Sequence, residues 1–409
     1  MRSNIYIALA LLVFGVIGAN AQTDDNKQQY RRSSLYQLMI NHTEQKFADE
    51  IREVFIQMPV SEHFNDHDLA VKVLDMDKKL KGAGSDKENA AVTKWLEDNM
   101  VASRLVAKWF DRDYFTGKCD MEMIKERGLY NASAFDKAVA SRSVRGKAML
   151  EDAGEDLIGN TFVIVNDIRY VDKAKVGQAF KIGLSIAGAI FGAASGNQSN
   201  AKAFDNLGDI AETLKGFKVK INTYLYKLEW NDEIASNFYQ FQYGVTDNSP
   251  AKEAFEKARG TYKLTYVGKQ ESSGSTTSFM GVKLDTPTAM VRKACQRAVD
   301  ENVASLQHDY EEFRTKSPLI SADPITAAIG LKEGIDEKST FEVLEVIKNE
   351  DGTVKYEQVA KIRPIKNLIW DNRYMAEEEG AANSTLGFTT FKKISGGDIY
   401  PGMLIRETK

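Results

Sequence analysis

"TFVIVNDIRYV", residues Thr161–Val171, is a run of β-branched and aromatic residues that follows the glycine at position 159. This composition, bounded by a glycine, predicts a β-strand. A second stretch, "FKVKINTYLYKLEW" (Phe217–Trp230), alternates apolar and polar residues. The apolar residues first occupy odd positions, up to Ile221, and then even positions, from Tyr224 onward. The exchange predicts a bulge or bend near Thr223. Together the two stretches predict a β-sheet in the middle of the chain.

Helical spacing of apolar residues dominates the chain before this sheet. The spacing predicts helices over Thr43–Ile56 and Asp66–Leu80, a long helix from a Ser85 cap to Trp109, and a helix over Ser133–Ala153. After the sheet's first two strands, further strands are expected at Thr261–Lys269 and Thr277–Leu284, joined by the polar loop "QESSGS". A helix then begins at Pro287, a residue suited to the first helical turn, and continues to about Arg314.

The last part of the chain consists of short strand-like runs separated by turn residues. The Asp351-Gly352 dipeptide is a strong hairpin signal between the first two runs. The predicted strands are Thr340–Lys348, Thr353–Arg363, Asn367–Tyr374, Leu386–Lys393 and Met403–Glu407. Closely spaced short strands with Gly-Gly and Pro-Gly turns are typical of a small β-barrel.

These patterns predict an α+β protein of several parts. Residues 1–21 form a signal peptide, and residues 22–156 a helical region. A mixed α/β domain covers residues 157–320 and carries an inserted helical hairpin at 174–215, and residues 321–409 form the barrel. More than one domain is also what a length of 409 residues suggests.

The N-terminus predicts export. Arg2 precedes an apolar run, Ile5–Ile17, and the small residues Ala19 and Ala21 match a cleavage site. The run is short for a membrane span, and no basic residue follows it directly. We therefore expect a periplasmic protein, with the inner face of the outer membrane as one possible location.

Composition narrows the choice of partners. Hydrophobic residues make up 43% of the chain and charged residues 27%, which is typical of globular proteins. The net charge of −4 does not favour a nucleic-acid partner. We expect an envelope protein, a second copy of the chain or a peripheral membrane contact instead.

The inserted hairpin is the predicted interaction surface. Its first arm, "KIGLSIAGAIFGAASG" (Lys181–Gly196), has small residues at a spacing that allows close helix packing. Three interpretations remain for it: a buried helix, an interface helix and a helix inserted shallowly into a membrane. The candidate interaction residues are Leu184, Gly188, Phe191, Gly192, Phe204 and Leu207.

The sequence of one loop partly matches a calcium-binding motif. In "DRDYFTGKCDME" (residues 111–122), Asp111, Asp113 and Glu122 occupy the first, third and twelfth positions of a helix-loop-helix calcium site. Phe115 and Thr116 stand where a ligand and a glycine are required. We therefore assign no metal and keep these three residues only as a calcium candidate.

No other motif indicates catalysis or a cofactor. His63 and His67, with Glu62, Asp66 and Asp68 beside them, have a spacing compatible with zinc, but there is no Glu-x-x-His companion and no further histidine until His308. Nucleotide-binding glycine loops and nucleophile motifs with their required context are missing. Cys119 and Cys295 either form a disulfide in an oxidising compartment or remain free, and the apolar helical stripe around Cys295 favours a buried thiol.

Two stretches resemble known families. "GANAQ" and "RGLYNAS…AGEDLIGNTFVIVND" are similar to uncharacterised exported envelope proteins of Bacteroidetes-type bacteria. "STFEVLEVIKNEDG…GGDIYPGMLIRE" resembles the small barrels that end some envelope assembly proteins, such as flagellar assembly protein T. The resemblance implies a periplasmic accessory role and supplies no site residues.

The sequence thus favours a non-enzymatic scaffold or assembly protein of the bacterial envelope, binding a protein partner or a membrane surface. The first alternative is a periplasmic hydrolase that uses acid pairs such as Asp111 with Asp113 or Asp371 with Glu377. The second alternative is a calcium-dependent sensor or adaptor.

Overall fold

A β-sheet with helices on both faces precedes a small closed barrel. The computed structural model describes residues 33–82, 84–131, 154–155, 157–171, 217–246, 249–275, 287–348 and 354–408. The predicted helix at 133–153, the predicted strand at 277–284 and the inserted hairpin at 174–215 lie outside these residues. The α+β class and the barrel are confirmed.

Six strands of the described residues form the sheet. They are β1 (Ser33–Ile40), β2 (Phe64–Asp66), β3 (Val73–Leu74), β4 (Thr161–Tyr170), β5 (Lys218–Leu228) and β6 (Leu264–Ser275). Their order is β2-β1-β4-β5-β6, and β3 also pairs with β1. β1 runs parallel to β2, β3 and β4, whereas β4, β5 and β6 are antiparallel neighbours. The sheet is therefore mixed.

Helices cover both faces of this sheet. They are α1 (Ala48–Ile56), α2 (Asp86–Asp98), α3 (Val101–Trp109), α4 (Glu122–Asn131), α5 (Asp232–Asn237), α6 (Ser249–Ala258) and α7 (Pro287–Asp309). α1 and α7 share one hydrophobic core with one face of the sheet. α2, α3, α4 and α6 contribute to a second core on the opposite face.

The two cores explain the sequence of β5. Val219, Ile221 and Leu225 lie in the core with α1 and α7, while Tyr224 and Tyr226 lie in the core with α2 and α3. The period of two continues without a break, because both faces are buried and both carry apolar residues. The predicted bulge near Thr223 is therefore wrong. The irregularity lies in the ladder with β6, between Leu225 and Tyr226.

β6 and α2 also differ from expectation at one point each. The stretch "QESSGS", predicted as a loop, is the last half of β6. Ser85 caps α2 as predicted, since its Oγ accepts a hydrogen bond from the backbone N–H of Glu88 at 3.2 Å. The predicted long helix divides into α2 and α3 because Met100, between them, has a left-handed φ of 52°.

The N-terminal region is not only helical. β1 lies inside the sheet between β2 and β4, and all eight of its residues are buried. A strand covered on both faces does not alternate in polarity, so the sequence carried no strand period there. The predicted helix over Asp66–Leu80 is also wrong, because that segment contains the end of β2, β3 and the 3-10 turn Lys78–Leu80. Residues before and after position 157 thus share one sheet.

The barrel is closed by six strands among the described residues. They are β7 (Ser317–Ala322), β8 (Ile325–Ala327), β9 (Phe341–Lys348), β10 (Val354–Pro364), β11 (Thr389–Gly396) and β12 (Leu404–Glu407). Their order around the barrel is β10-β11-β8-β7-β12-β9. The barrel begins a few residues before the predicted boundary at 321, because β7 pairs with both β8 and β12. The predicted strand at Asn367–Tyr374 is instead a 3-10 turn and irregular chain.

Candidate functional site

A cleft of about 870 Å³ separates the sheet from the barrel. Its walls come from three elements: the end of β6, one face of α7, and the segment between β8 and β9. Binding sites occur preferentially in clefts where domains meet. This cleft is therefore the strongest candidate site in the described part of the chain.

α7 supplies the polar wall of the cleft. Arg297, Glu301, Ala304, Ser305 and His308 line it. These positions recur every three or four residues, so they share one helix face. The opposite face of α7 carries the apolar stripe that the sequence indicated, and this stripe is buried against the sheet. The helix therefore joins the hydrophobic core to the cleft.

β6 supplies the floor with small polar residues. Gln270, Ser273, Gly274 and Ser275 line the cleft. Gly274 permits the close approach of α7, since a Cβ at this position would lie 1.9 Å from the carbonyl oxygen of Ala294. β6 ends the strand order of the sheet, and no described strand pairs with its outer edge. Edge strands of this kind can pair with a further strand.

Glu333 connects several segments at the barrel wall of the cleft. Its carboxylate accepts hydrogen bonds from the backbone N–H of Gly330 and the side-chain amide of Asn372, both at 2.7 Å. The Nε2 atom of His63 lies 3.1 Å from the other carboxylate oxygen. Burial alone would raise the pKa of Glu333, but the hydrogen bond with His63 and the other donors outweigh it and lower the pKa.

Charged contacts from α7 hold the barrel beside the sheet. Arg297 donates two hydrogen bonds to the carbonyl oxygen of Tyr374, at 3.0 and 2.8 Å, and one to Glu379 at 2.7 Å. Lys293 forms an ion pair with the same Glu379 carboxylate. Burial, together with the positive charges nearby, lowers the pKa of Lys293 and of Arg297. These contacts fix the position of the barrel relative to α7 beside the cleft.

Asp300 is an unusual acid on this helix. Its carboxylate accepts a hydrogen bond from Gln296 at 3.0 Å and is almost fully buried. Burial raises the pKa of Asp300 from 3.8 to about 6, although Lys332 acts against the shift. Asp300 does not line the cleft, whereas its neighbour Glu301 does.

Two lysines of the barrel wall face the cleft. Lys332 and Lys338 line the cleft, and neither forms an ion pair with a carboxylate among the described residues. Arg373, another residue of the cleft, forms an ion pair with Asp371 at 2.7 Å. The lining also includes the acids Glu301, Asp309, Asp336 and Glu407, so the cleft offers both signs of charge to an extended polar segment.

The residues predicted from sequence are not gathered in the cleft. The six candidate interaction residues of the hairpin lie outside the described part of the chain. Asp111 and Asp113 are exposed in a loop, and Asp113 uses its Oδ1 atom to accept hydrogen bonds from Phe115 and Thr116. Glu122 begins α4. Within the described residues, no three His, Cys, Asp or Glu side chains are placed to hold a metal ion.

The two histidines and two cysteines have separate surroundings. His67 is buried, with Nε2 3.0 Å from the Leu105 carbonyl oxygen, while His63 contacts Glu333. They therefore do not share a site. Cys119 and Cys295 are both buried and free, which confirms the free-thiol interpretation. The acid Asp371 of the hydrolase hypothesis is paired with Arg373.

A buried charge network lies at the end of the sheet where the parallel strands β1 and β4 finish. His42 contacts Asp167 at 2.5 Å, Asp167 accepts a hydrogen bond from Arg169 at 2.7 Å, and Arg169 donates to Glu88 at 2.8 Å. Tyr224 donates to the other Glu88 oxygen at 2.8 Å. Burial opposes ionisation of Asp167, yet His42 and Arg169 lower its pKa. The network ties the start of α2 to the sheet.

Sequence reasoning overlooked this network and the cleft. The polar "ND" pair at positions 166 and 167 interrupts an otherwise apolar strand and was the available signal. No local pattern pairs His42 with Asp167 or His63 with Glu333, because these partners are far apart along the chain.

Comparison with known proteins adds no relative. No protein-family model matches the chain, and no curated protein matches it. Of the helices in the described ranges, none combines the length and apolar character needed to cross a bilayer. The candidate site therefore rests on the geometry of the cleft between the sheet and the barrel.

Proposed function

We propose that the protein is an exported scaffold or assembly protein of the bacterial cell envelope, and that it binds a protein partner in the cleft between sheet and barrel. The cleft carries this proposal. Its length along β6 and α7 and its small and charged lining suit an extended segment of another polypeptide. The N-terminal export pattern and the resemblance of the barrel sequence to envelope assembly proteins agree with this role.

Two features of the cleft favour a polypeptide. β6 is an edge strand of the described sheet, and the backbone N–H and C=O groups of such a strand can pair with an added strand. Lys332 and Lys338 offer positive charge to acidic side chains of that strand. Backbone pairing would supply affinity, and the two lysines would add charged contacts with acidic side chains of the partner.

Photocrosslinking at defined positions tests the proposal. A photoreactive amino acid replaces Ser305 in the cleft or, as a control, Lys393 on the barrel strand β11. After illumination of intact cells, we expect a discrete crosslinked protein from position 305 and none from position 393. Lys332→Glu with Lys338→Glu should weaken the crosslink, whereas Lys392→Glu with Lys393→Glu should not.

Two outcomes would contradict the proposal. One is an identical crosslink pattern from positions 305 and 393, which would mean that the cleft has no specific partner. The other concerns location: cell fractionation and mass spectrometry should find the chain in the envelope fraction with Gln22 as its first residue. Recovery of the intact chain from the cytoplasm would exclude an envelope role.

A further inference from the structure

Three exposed apolar side chains project from two neighbouring loops on the side of the sheet opposite α7. Tyr114 is 67% exposed, Phe115 78% and Val245 69%. The rings of Tyr114 and Phe115 contact each other edge to face, with centroids 5.4 Å apart. We call Tyr114, Phe115 and Val245 the aromatic tip. Its exposure is unusual for side chains of this size.

The first loop is held in one conformation by Asp113. Its Oδ1 atom accepts hydrogen bonds from the backbone N–H groups of Phe115 at 2.9 Å and Thr116 at 2.6 Å, and from the Thr116 hydroxyl at 2.8 Å. The ammonium of Lys252 donates to the carbonyl oxygen of Phe115 at 2.8 Å. The loop therefore presents its two rings from an ordered turn.

The second loop is bound directly to the first. The backbone N–H of Cys119 donates to the carbonyl oxygen of Gly244 at 2.7 Å, and Lys118 forms a parallel bridge with Gly244. A Cβ at Gly244 would lie 2.6 Å from the carbonyl oxygen of Gly117, so the two backbones touch. Val245 follows Gly244 immediately, which places it beside the loop that carries the two rings.

Arg112 anchors the tip to the protein. Its guanidinium lies over the ring of Phe255, 4.1 Å from the centroid, and its side chain is only 3% exposed. Phe255 belongs to α6 and is part of the core on this side of the sheet. The tip is therefore an ordered projection, which loses little conformational freedom when it enters another medium.

The area of the tip and the charges around it indicate what it binds. Its three side chains expose about 400 Å² in total, half of the roughly 800 Å² that a stable protein interface takes from each partner. Charged residues of both signs form its rim: the loop that carries the two rings also carries the exposed Asp111, Lys118 and Asp120, and Lys252 contacts the backbone of Phe115. Such a rim, with both signs of charge, complements zwitterionic headgroups, while aromatic rings favour the membrane–water interface.

We propose that the aromatic tip inserts into the interfacial layer of a phospholipid bilayer. Phe115 and Val245 enter the acyl boundary, the Tyr114 hydroxyl remains at headgroup depth, and Lys118 faces lipid phosphates. The proposal does not depend on the cleft, which lies against α7 and the barrel. A failure of either proposal leaves the other intact.

Vesicle sedimentation tests the tip. The chain from Gln22 onward is used, because the apolar run Ile5–Ile17 would itself bind lipid. It is mixed with vesicles of the zwitterionic lipids phosphatidylethanolamine and phosphatidylcholine. We expect the protein to sediment with the vesicles, and Tyr114→Ser with Phe115→Ser to weaken the partition by about tenfold or more. The matched control is Ile394→Ser with Tyr400→Ser, which removes barrel side chains 48% and 58% exposed and should change nothing.

A fluorescence measurement separates insertion from loss of folding. The Phe115→Trp variant should show a blue-shifted emission when vesicles are added, whereas the Tyr400→Trp variant should not. The proposal is overturned if the unmodified protein stays in the supernatant, or if the tip variant binds as well as the control variant. It is also overturned if the emission of the Phe115→Trp variant stays unshifted while the protein is bound to vesicles.

Discussion

His63 and Glu333 lie 270 residues apart in the chain, yet the Nε2 atom of one is 3.1 Å from the Oε1 atom of the other. His63 belongs to the loop before β2, and Glu333 to the barrel wall of the cleft. The pair therefore connects the first part of the sheet to the barrel. Arg297 makes a further connection through Tyr374 and Glu379.

Replacement of His63 should loosen this connection. In His63→Ala the carboxylate of Glu333 loses a partner while it remains largely buried, and we expect a loss of about 1–3 kcal/mol in unfolding free energy. The pKa of Glu333 is lowered from 4.5, so the stabilisation is present above that pH and is lost as the pH falls through the folded pKa. Urea denaturation at pH 7 and at acid pH measures both effects.

His308→Ala is the matched control for this variant. The ring of His308 lies 3.8 Å from Glu407 and is half exposed, so its removal should cost little. Equal losses in the two variants would show that the contact of His63 with Glu333 does not connect the sheet to the barrel.

Asp300→Asn should stabilise the protein at high pH. Burial raises the pKa of Asp300 from 3.8 to about 6, so the folded state favours the neutral acid. The ionised form therefore reduces stability as the pH rises through this range, by roughly 3 kcal/mol once the pH exceeds the folded pKa. The variant should unfold at a higher urea concentration than the unmodified protein at pH 8, and the difference should vanish near pH 3.

Glu301→Gln provides the comparison for Asp300, because Glu301 is exposed and adjacent. Because its side chain is exposed, this substitution should change the unfolding free energy little at either pH. If the Asp300→Asn variant follows the same pH profile as the unmodified protein, the raised pKa of Asp300 is refuted.

Gly274→Ala should disturb the packing of α7 on the sheet. The added methyl group would meet the backbone carbonyl of Ala294 at 1.9 Å, so the helix must move. Overpacking of this kind typically costs about 1–3 kcal/mol. Thermal unfolding measures the loss. Gly260→Ala is the control, since no atom lies within 4 Å of its added Cβ, and unchanged stability in both variants would contradict the close approach of α7.

Glu88→Gln should weaken the buried network beside β4. Glu88 is fully buried and accepts hydrogen bonds from Arg169 and Tyr224, so loss of its charge leaves the Arg169 guanidinium without one of its counter-charges. We expect a loss of about 3 kcal/mol, as for other broken buried ion pairs. Denaturant unfolding measures it. Glu97→Gln, on the exposed side of α2, should have little effect, and a similarly small effect at Glu88 would contradict the role of the network.

The two cysteines should be unreactive in the folded protein. Burial raises the pKa of the Cys295 thiol to about 12 and also raises that of Cys119. A thiol reagent at pH 8 should therefore label neither cysteine until denaturant is added, and then label both. Failure to label the denatured, unreduced protein would reveal a disulfide and contradict the free thiols.

Much of the fold follows from local patterns. β4, β5, α2 and the hairpin of β9 with β10 were predicted because their periodicity, caps and turn residues act over short distances. β1 was missed for the opposite reason. Its strand character depends on neighbours in the sheet that bury both faces, and such burial leaves no alternation in the sequence. β3 has only two residues, too few for a period to show.

The sequence by itself determined the α+β class, the barrel at the C-terminal end and the apolar stripe of α7, since each depends on the spacing of residues along one segment. Only the tertiary structure decided that β1 enters the central sheet, that His63 meets Glu333, and that β6 and α7 form a cleft with the barrel wall. These features join segments far apart in the chain. Their energies come from burial and hydrogen bonds that exist only after the chain has folded.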